Sequence, residues 1–202
     1  DAAAGSTISS IYNQIGASPR GLFHVTMPHS DEAAWARAKA VAPFWNKSVV
    51  EVAIRGEQNT SGKMPFEGNN YPYPIFVANE TMDEGVAYSL TKAVMDNYES
   101  YKEAGPGMDG YQVKNQNFQW VFPYHKGAIQ YFKEAGVWDG AAQANQDANL
   151  NRLEVLAAAW ADFKGMGVSG DGYEKKWLEV RKMHLEKAGM AVPFGKPLPQ
   201  PE

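Results

Sequence analysis

The chain has 202 residues, 44% of them hydrophobic, which is enough to bury a core as one domain or two small ones. With 19 Lys and Arg against 23 Asp and Glu the net charge is −4, and no basic run stands out, which argues against nucleic acid as a partner. There are no cysteines, so disulfides, thiolate catalysis and Cys-ligated metals are excluded, and no stretch approaches the ~20 consecutive apolar residues of a membrane helix.

The chain opens at Asp1 without an initiator methionine or a signal peptide, so a processed protein or a piece of a longer one is expected, with any export signal upstream. Ile8, Ile11, Tyr12 and Ile15 predict a short helix ending at Gly16. Gly5-Ser6-Thr7 before it is rich in backbone donors. It reads either as an ordinary N-cap or as a place to hold an anion at a helix N-terminus. Ser18-Pro19-Arg20-Gly21 is a turn by composition, in which Arg20 is either a bidentate clamp for a carboxylate or a loop-tying residue. Leu22 to Met27 reads as a strand with His24 in it as a packed or edge residue. After Pro28-His29, Ser30 and Asp31 cap a helix whose Ala34, Trp35, Ala38 and Val41 share a face, closed by Pro43. Ser48 to Ile54, with Val50, Val52 and Ile54 on one side, reads as another strand.

From Arg55 to Pro74 runs a connection rich in Gly, Asn and Pro that carries Phe66, Tyr71 and Tyr73. Connections longer than ~15 residues are usually functional or disordered. This one is either part of a small-molecule pocket, lined by its aromatic rings, or a solvated insertion that those rings pin down. Ile75 to Ala78 is a short apolar run expected to be a buried strand. Thr81 and Glu84 form a capping box for a helix with Val86, Leu90, Val94, Tyr98 and Tyr101 on its apolar face, and Gly105-Pro106-Gly107 stops it. The order of elements is an α/β pattern.

Pro123-Tyr124-His125 introduces a helix with Ile129, Phe132 and Ala135 facing inward. His125 has no companion nucleophile motif, and His24, His29, His125 and His184 show no ligand-like spacing. No catalytic residue, metal or cofactor is therefore expected, and His125 is read as a capping or packing residue. Gly140 to Asn149 is a linker by composition. Leu150, Leu153, Leu156, Ala157, Trp160 and Phe163 then make one helical face, and Tyr173, Trp177, Val180 and His184 a second. Joined through Gly165 to Gly172 they predict a helical hairpin, either a clasp on its own domain or an interface to another chain. The Pro-rich end, VPFGKPLPQPE, is expected to lie extended.

The order of these pieces is similar to a known family. The run Tyr71-Pro72-Tyr73-Pro74, the helix around Val86-Ala87-Tyr88-Ser89-Leu90-Thr91-Lys92-Ala93-Val94, and Pro123-Tyr124-His125-Lys126-Gly127-Ala128-Ile129-Gln130-Tyr131-Phe132-Lys133-Glu134-Ala135-Gly136 resemble the C-terminal part of the TAXI-family solute receptors of TRAP transporters. Asp1 to Thr7 and Ser18 to Gly21 resemble that family's middle region. The chain departs from the pattern at Lys126, where the family usually has a second proline. The resemblance covers roughly residues 1 to 138.

The resemblance implies an α/β fold of periplasmic-binding-protein type (type II), incomplete because the family's N-terminal half is absent, with an added C-terminal helical hairpin in 139–202. It implies an extracytoplasmic, periplasmic solute-binding subunit that closes two lobes on a small organic acid, hands it to membrane permease subunits, and does no covalent chemistry. A separate N-terminal half is a further implied partner. The hinge would lie near Asp1 to Thr7 and Ile75 to Asn79. The expected ligand-binding residues are Ser6, Thr7, Arg20, Tyr71 and Tyr73. The alternative is a split or diverged receptor half acting as a protein–protein interaction module. A small hydrolase using His125 is a weaker rival.

Overall fold

The structure, a computed structural model, describes residues 10–50, 60–61, 65–71, 75–105 and 107–193. The first part combines helices and strands: α1 (Ser10–Gly16), β1 (Leu22–Phe23), α2 (Glu32–Val41), β2 (Asn46–Val50), β3 (Thr60–Ser61) and β4 (Phe66–Asn70). Asp31 caps α2 by accepting from the Ala34 N–H at 2.9 Å, as the sequence predicts. Trp35 is buried, and its indole N–H donates to the Pro28 carbonyl at 3.0 Å, docking α2 on the turn before it. Among the described residues the strands form two separate ladders. β1 pairs with β3 in parallel, and β2 pairs with β4 antiparallel, from Asn46↔Asn70 to Val50↔Phe66.

The strand content differs from the expectation. The strand predicted over Leu22–Met27 is limited to its first two residues, and the one predicted over Ser48–Ile54 begins earlier, at Asn46; residues 51–54 lie outside those described. β4 falls inside the connection expected to be irregular. Its Gly and Asn are poor strand formers, but the ladder with β2 and the bonds to residues 27–29 hold it. The Met27 N–H donates to the Glu67 carbonyl, the His29 N–H to the Glu67 carboxylate, and His29 Nε2 to the Gly68 carbonyl, at 2.8 to 2.9 Å. Ile75 to Ala78, conversely, is not a buried strand. Phe76 is 76% and Val77 82% exposed. An apolar run supplies side chains for a strand but no ladder partner, and none is present there among the described residues.

The second part is helical: α3 (Glu84–Asp96), α4 (Tyr98–Tyr101), α5 (Lys126–Glu134), α6 (Gly140–Gly165) and α7 (Tyr173–Lys187), with short 3-10 turns at Met108–Tyr111, Val113–Asn115 and Gly170–Gly172. The cap of α3 is Asp83, which accepts from the Val86 N–H at 3.0 Å, whereas Thr81 turns back to bond Asn79. The N-cap read at Thr81 is therefore displaced by two residues, and with Val86 three residues after Asp83 no capping box forms. Val86 and Leu90, expected to face inward, are exposed. The side of α3 against α5 carries Ala87, which is buried, with Thr91 and Val94 half-buried. Small residues win that face because the two backbones come close at Gly127. Beneath α5, Phe118, Tyr124, Phe132 and Trp138 meet ring to ring at 5.0 to 6.0 Å.

Gly140 to Asn149 is no linker; it forms the first ten residues of a 26-residue helix. Asp139 caps it through the Ala142 N–H at 2.8 Å. Its polar residues are occupied. Gln146, only 5% exposed, accepts from the Tyr124 N–H at 2.7 Å and donates to the Tyr124 carbonyl at 3.0 Å. Asn145 donates to the Phe118 and Trp120 carbonyls, and Asn149 to the Trp120 carbonyl. A stretch that looks solvated thus serves as a hydrogen-bonding rail for an extended segment that has no sheet to join. Farther along, α6 and α7 pack through Ala159, Phe163 and Val180, flanked by Val168 and Trp177. Leu150 and Leu153 are exposed, so the buried stripe of α6 is rotated from the leucine face that the sequence suggests. Arg152 donates to the Ala191 carbonyl and Arg181 to that of Pro193. The Pro-rich end beyond it lies outside the described residues. No helix among the described residues is long and apolar enough to cross a membrane.

Candidate functional site

Of the residues expected to bind ligand, Ser6, Thr7 and Tyr73 lie outside the described residues, as does the part of the hinge read at Asp1 to Thr7. Arg20 is exposed, in the turn between α1 and β1, where the Gly21 N–H donates to the Ser18 carbonyl at 3.0 Å and Gly21 takes a positive φ of 68°. Tyr71 directly follows β4. The pairing of Asn46 with Asn70 sets the start of β2 beside the end of β4, so Phe44 and Tyr71 meet edge to face at 5.7 Å. Register, not nearness in sequence, makes that contact.

Phe44 also touches Trp120 at 6.1 Å, and Trp120 touches Phe122 at 6.1 Å. Among the described residues, four rings from three segments thus lie in contact, with Tyr71 40% and Phe122 56% exposed. The middle is fixed by α6, since Asn145 and Asn149 hold the Trp120 carbonyl at 2.8 and 2.7 Å. The Trp120 indole Nε1 is buried and makes no hydrogen bond. Such a surface offers flat apolar area, with the indole N–H of Trp120 beneath it rather than on it. Sequence reading missed Phe44, Trp120 and Phe122. The one available signal was aromatic density in Phe118 to Tyr124, and nothing in the sequence ties that segment to Tyr71.

The histidines are placed separately. His125 caps α5: Nδ1 accepts from the Gly127 N–H at 3.2 Å, and Nε2 donates to the Met82 carbonyl at 3.1 Å. Both ring nitrogens are thus occupied by backbone. His24 stacks on Phe66 at 5.0 Å with Nε2 buried and unpartnered, and His184 bonds the Asp162 carboxylate at 2.8 Å. Between α3 and α5 lies a seam of phenol–carboxylate bonds. Tyr88 donates to Glu134 and Tyr131 to Asp96, each at 2.7 Å, and Lys92 pairs with Asp96. Hydrogen bonds from Lys92 and then Tyr131 hold the Asp96 carboxyl below the usual range, and those from Tyr88 and Gln130 do the same for Glu134. Burial, aided by Asp96, pushes the Tyr131 phenol up to about 12; burial alone does so for Tyr124. These groups are tied to one another and join helices. A shallow depression over Asp83, Gly85, Val86, Ser89 and Leu90 lies on one side of α3 and lacks convergent polar groups.

A model of the NMT1-like family matches residues 3–136. Neither a search of curated proteins nor one of solved structures returned a match. The matched span contains Arg20, the paired strands, Tyr71, the aromatic row and α3 with α5, and it covers the same part of the chain as the resemblance read from its motifs. The chain therefore belongs to the NMT1-like family, a periplasmic-binding-protein-like family whose members point to an extracytoplasmic solute-binding role.

Proposed function

We propose that the chain is the solute-binding subunit, or part of one, of a TRAP-type transporter of the TAXI class, and that it binds a small organic acid in the periplasm and delivers it to membrane permease subunits. The observation that carries this reading is the family match over residues 3–136, together with the motif order from Tyr71 to Gly136. The fold would be of type II, residues 1–138 belonging to the receptor and 139–202 forming an added helical hairpin and tail. Function then consists of binding and lobe closure, with no covalent step and no cofactor.

In this reading Ser6, Thr7, Arg20, Tyr71 and Tyr73 face the ligand. Tyr71 has support in its partial exposure beside Phe44. Isothermal titration with a panel of small mono- and dicarboxylates and amino acids tests the proposal. Saturable binding that alanine at Arg20 and Tyr71 weakens about tenfold or more, with the fold kept, is the expected result. Unchanged affinity in all five alanine variants overturns the site; no binding to any acid in the full native protein overturns the function.

A second reading, a diverged receptor half that binds another protein, draws on the exposed Ile75–Phe76–Val77 run and the open Val86 and Leu90 on α3. Native mass spectrometry of the protein from its own source separates the two. A partner polypeptide completing a second lobe, with a small acid retained, favours the receptor. An unrelated protein without ligand favours the module.

A further inference from the structure

We infer that Asn79 is an acceptor for N-linked glycosylation: its side-chain amide nitrogen takes a saccharide from a polyprenyl diphosphate donor, in a transfer catalysed by an oligosaccharyltransferase outside the cytoplasm. The inference goes beyond the receptor reading and shares with it only the extracytoplasmic location.

The chain carries the acceptor pattern Asn-x-Ser/Thr at Asn46-Lys47-Ser48, Asn59-Thr60-Ser61 and Asn79-Glu80-Thr81. Such a pattern recurs by chance, and only its surroundings single out an acceptor. Asn46 is half-buried in β2, paired with Asn70, and its amide nitrogen donates to the Phe44 carbonyl at 3.3 Å. Asn59 lies outside the described residues. Asn79 sits in a turn that the Met82 N–H closes on its carbonyl at 3.0 Å. Residues 75–81 are exposed throughout, so a bulky donor reaches Asn79 from solvent.

The side chain of Asn79 is also arranged for the reaction. Its Oδ1 accepts twice from Thr81, from the N–H at 3.1 Å and from the hydroxyl at 3.0 Å. Its Nδ2 makes no hydrogen bond among the described residues. An amide nitrogen is a poor nucleophile because its electron pair is delocalised onto the oxygen. Loss of one of its protons gives an imidate whose charge gathers on Oδ1, where both Thr81 donors already point. The nitrogen then bonds to the anomeric carbon of the saccharide. The bond from that carbon to the diphosphate oxygen breaks, and its electron pair leaves with the lipid diphosphate. The amide proton passes to a carboxylate of the transferase, and nothing is oxidised or reduced.

A glycan at this position also answers a second observation. Phe76 and Val77, just before Asn79, are largely exposed apolar side chains. A bulky, solubilising saccharide beside them shields the run from water and from other chains.

The test incubates the full chain with a purified oligosaccharyltransferase and chitobiosyl polyprenyl diphosphate, and locates the saccharide on peptides by mass spectrometry. The expected result is saccharide on the peptide containing Asn79, absent in Asn79→Gln and unchanged in Asn46→Gln. Thr81→Val removes the hydroxyl at nearly constant volume and should slow the transfer about tenfold or more. Thr81→Ser restores the hydroxyl and recovers the transfer. Melting temperatures of all variants separate loss of the acceptor from loss of the fold. An unmodified Asn79 in the parent chain overturns the inference, as does a Thr81→Val rate equal to that of the parent. Saccharide on Asn46 or Asn59 alone overturns it as well. Titration with small acids decides the receptor reading independently of each of these outcomes.

Discussion

A methyl group placed on Gly127 would stand 2.1 Å from the backbone oxygen of Glu84, and 2.6 Å from the backbone nitrogen of Tyr88. The first turn of α5 thus rests directly on the first turn of α3, with Ala87 closing the contact. Backbone cannot retreat as a flexible side chain can. Gly127→Ala is therefore expected to destabilise the fold by about 2 kcal/mol or more, although Ala is the better helix former by about 1 kcal/mol. Chemical denaturation of the variant measures it. A neutral or stabilising result would mean that α5 slides off α3 without cost.

Gln146 satisfies both polar groups of the Tyr124 peptide with one side chain. Gln146→Ala leaves the part-buried donor and acceptor of Tyr124 unpaired, at roughly 1–3 kcal/mol for each group that water does not reach. Asn151→Ala, at an exposed position farther along the same helix, is expected to stay within about 0.5 kcal/mol of the parent. Equal midpoints for the two variants in urea would show that the rail is decorative.

The cap of α3 offers a direct choice between two residues. Asp83→Ala removes the acceptor of the Val86 N–H and should cost about 1 kcal/mol, whereas Thr81→Ala touches only Asn79 and should cost about half of that or less. The reverse order would restore the capping box that the sequence suggests. Thermal melts of both variants under identical conditions are sufficient.

Stability toward alkali depends on the buried phenols. An unfolded tyrosine loses its proton near pH ~10, whereas Tyr131 and Tyr124 keep theirs to about 12. The folded values are raised, so this contribution is whole below about pH 10 and is lost as the pH climbs from there through about 12. Lys92, raised by its bond to Asp96, acts in the same direction. Asp96 and Glu134 act at the other end: their depressed values contribute above the ordinary carboxylate range, and that contribution disappears as pH falls through them. Urea midpoints measured from pH 9 to 12 should fall less steeply in Tyr131→Phe than in the parent. Parallel slopes would remove Tyr131 from this account.

Much of the helical framework was readable from residues alone. Asp31 before Glu32, the break at Gly16, the entry at His125 and the inward Ile129 and Phe132 are local signals, and each operates within one or two turns of its own helix. The family resemblance was legible for a related reason, since it rests on the order of such local pieces. Strands were read less well. Ile75 to Ala78 has strand-like residues and no ladder, while Phe66 to Asn70 has unpromising residues and a partner in β2.

The sequence by itself determined several helix ends, such as those at Gly16, Asp31, His125 and Gly165, and that cysteine chemistry is excluded, because capping and composition depend on neighbours along the chain; the order of its motifs carried the family resemblance. Only the tertiary structure decided that Gly140 to Asn149 is a helix serving Tyr124 and Trp120, that Val86 and Leu90 face out, and that Phe44, Tyr71, Trp120 and Phe122 share one surface. Those outcomes depend on hydrogen bonds and ring contacts between segments far apart in the chain, such as Tyr124 with Gln146 and Phe44 with Tyr71. Their energies are not written in any local stretch, and they arise only when one segment meets the partner that satisfies it.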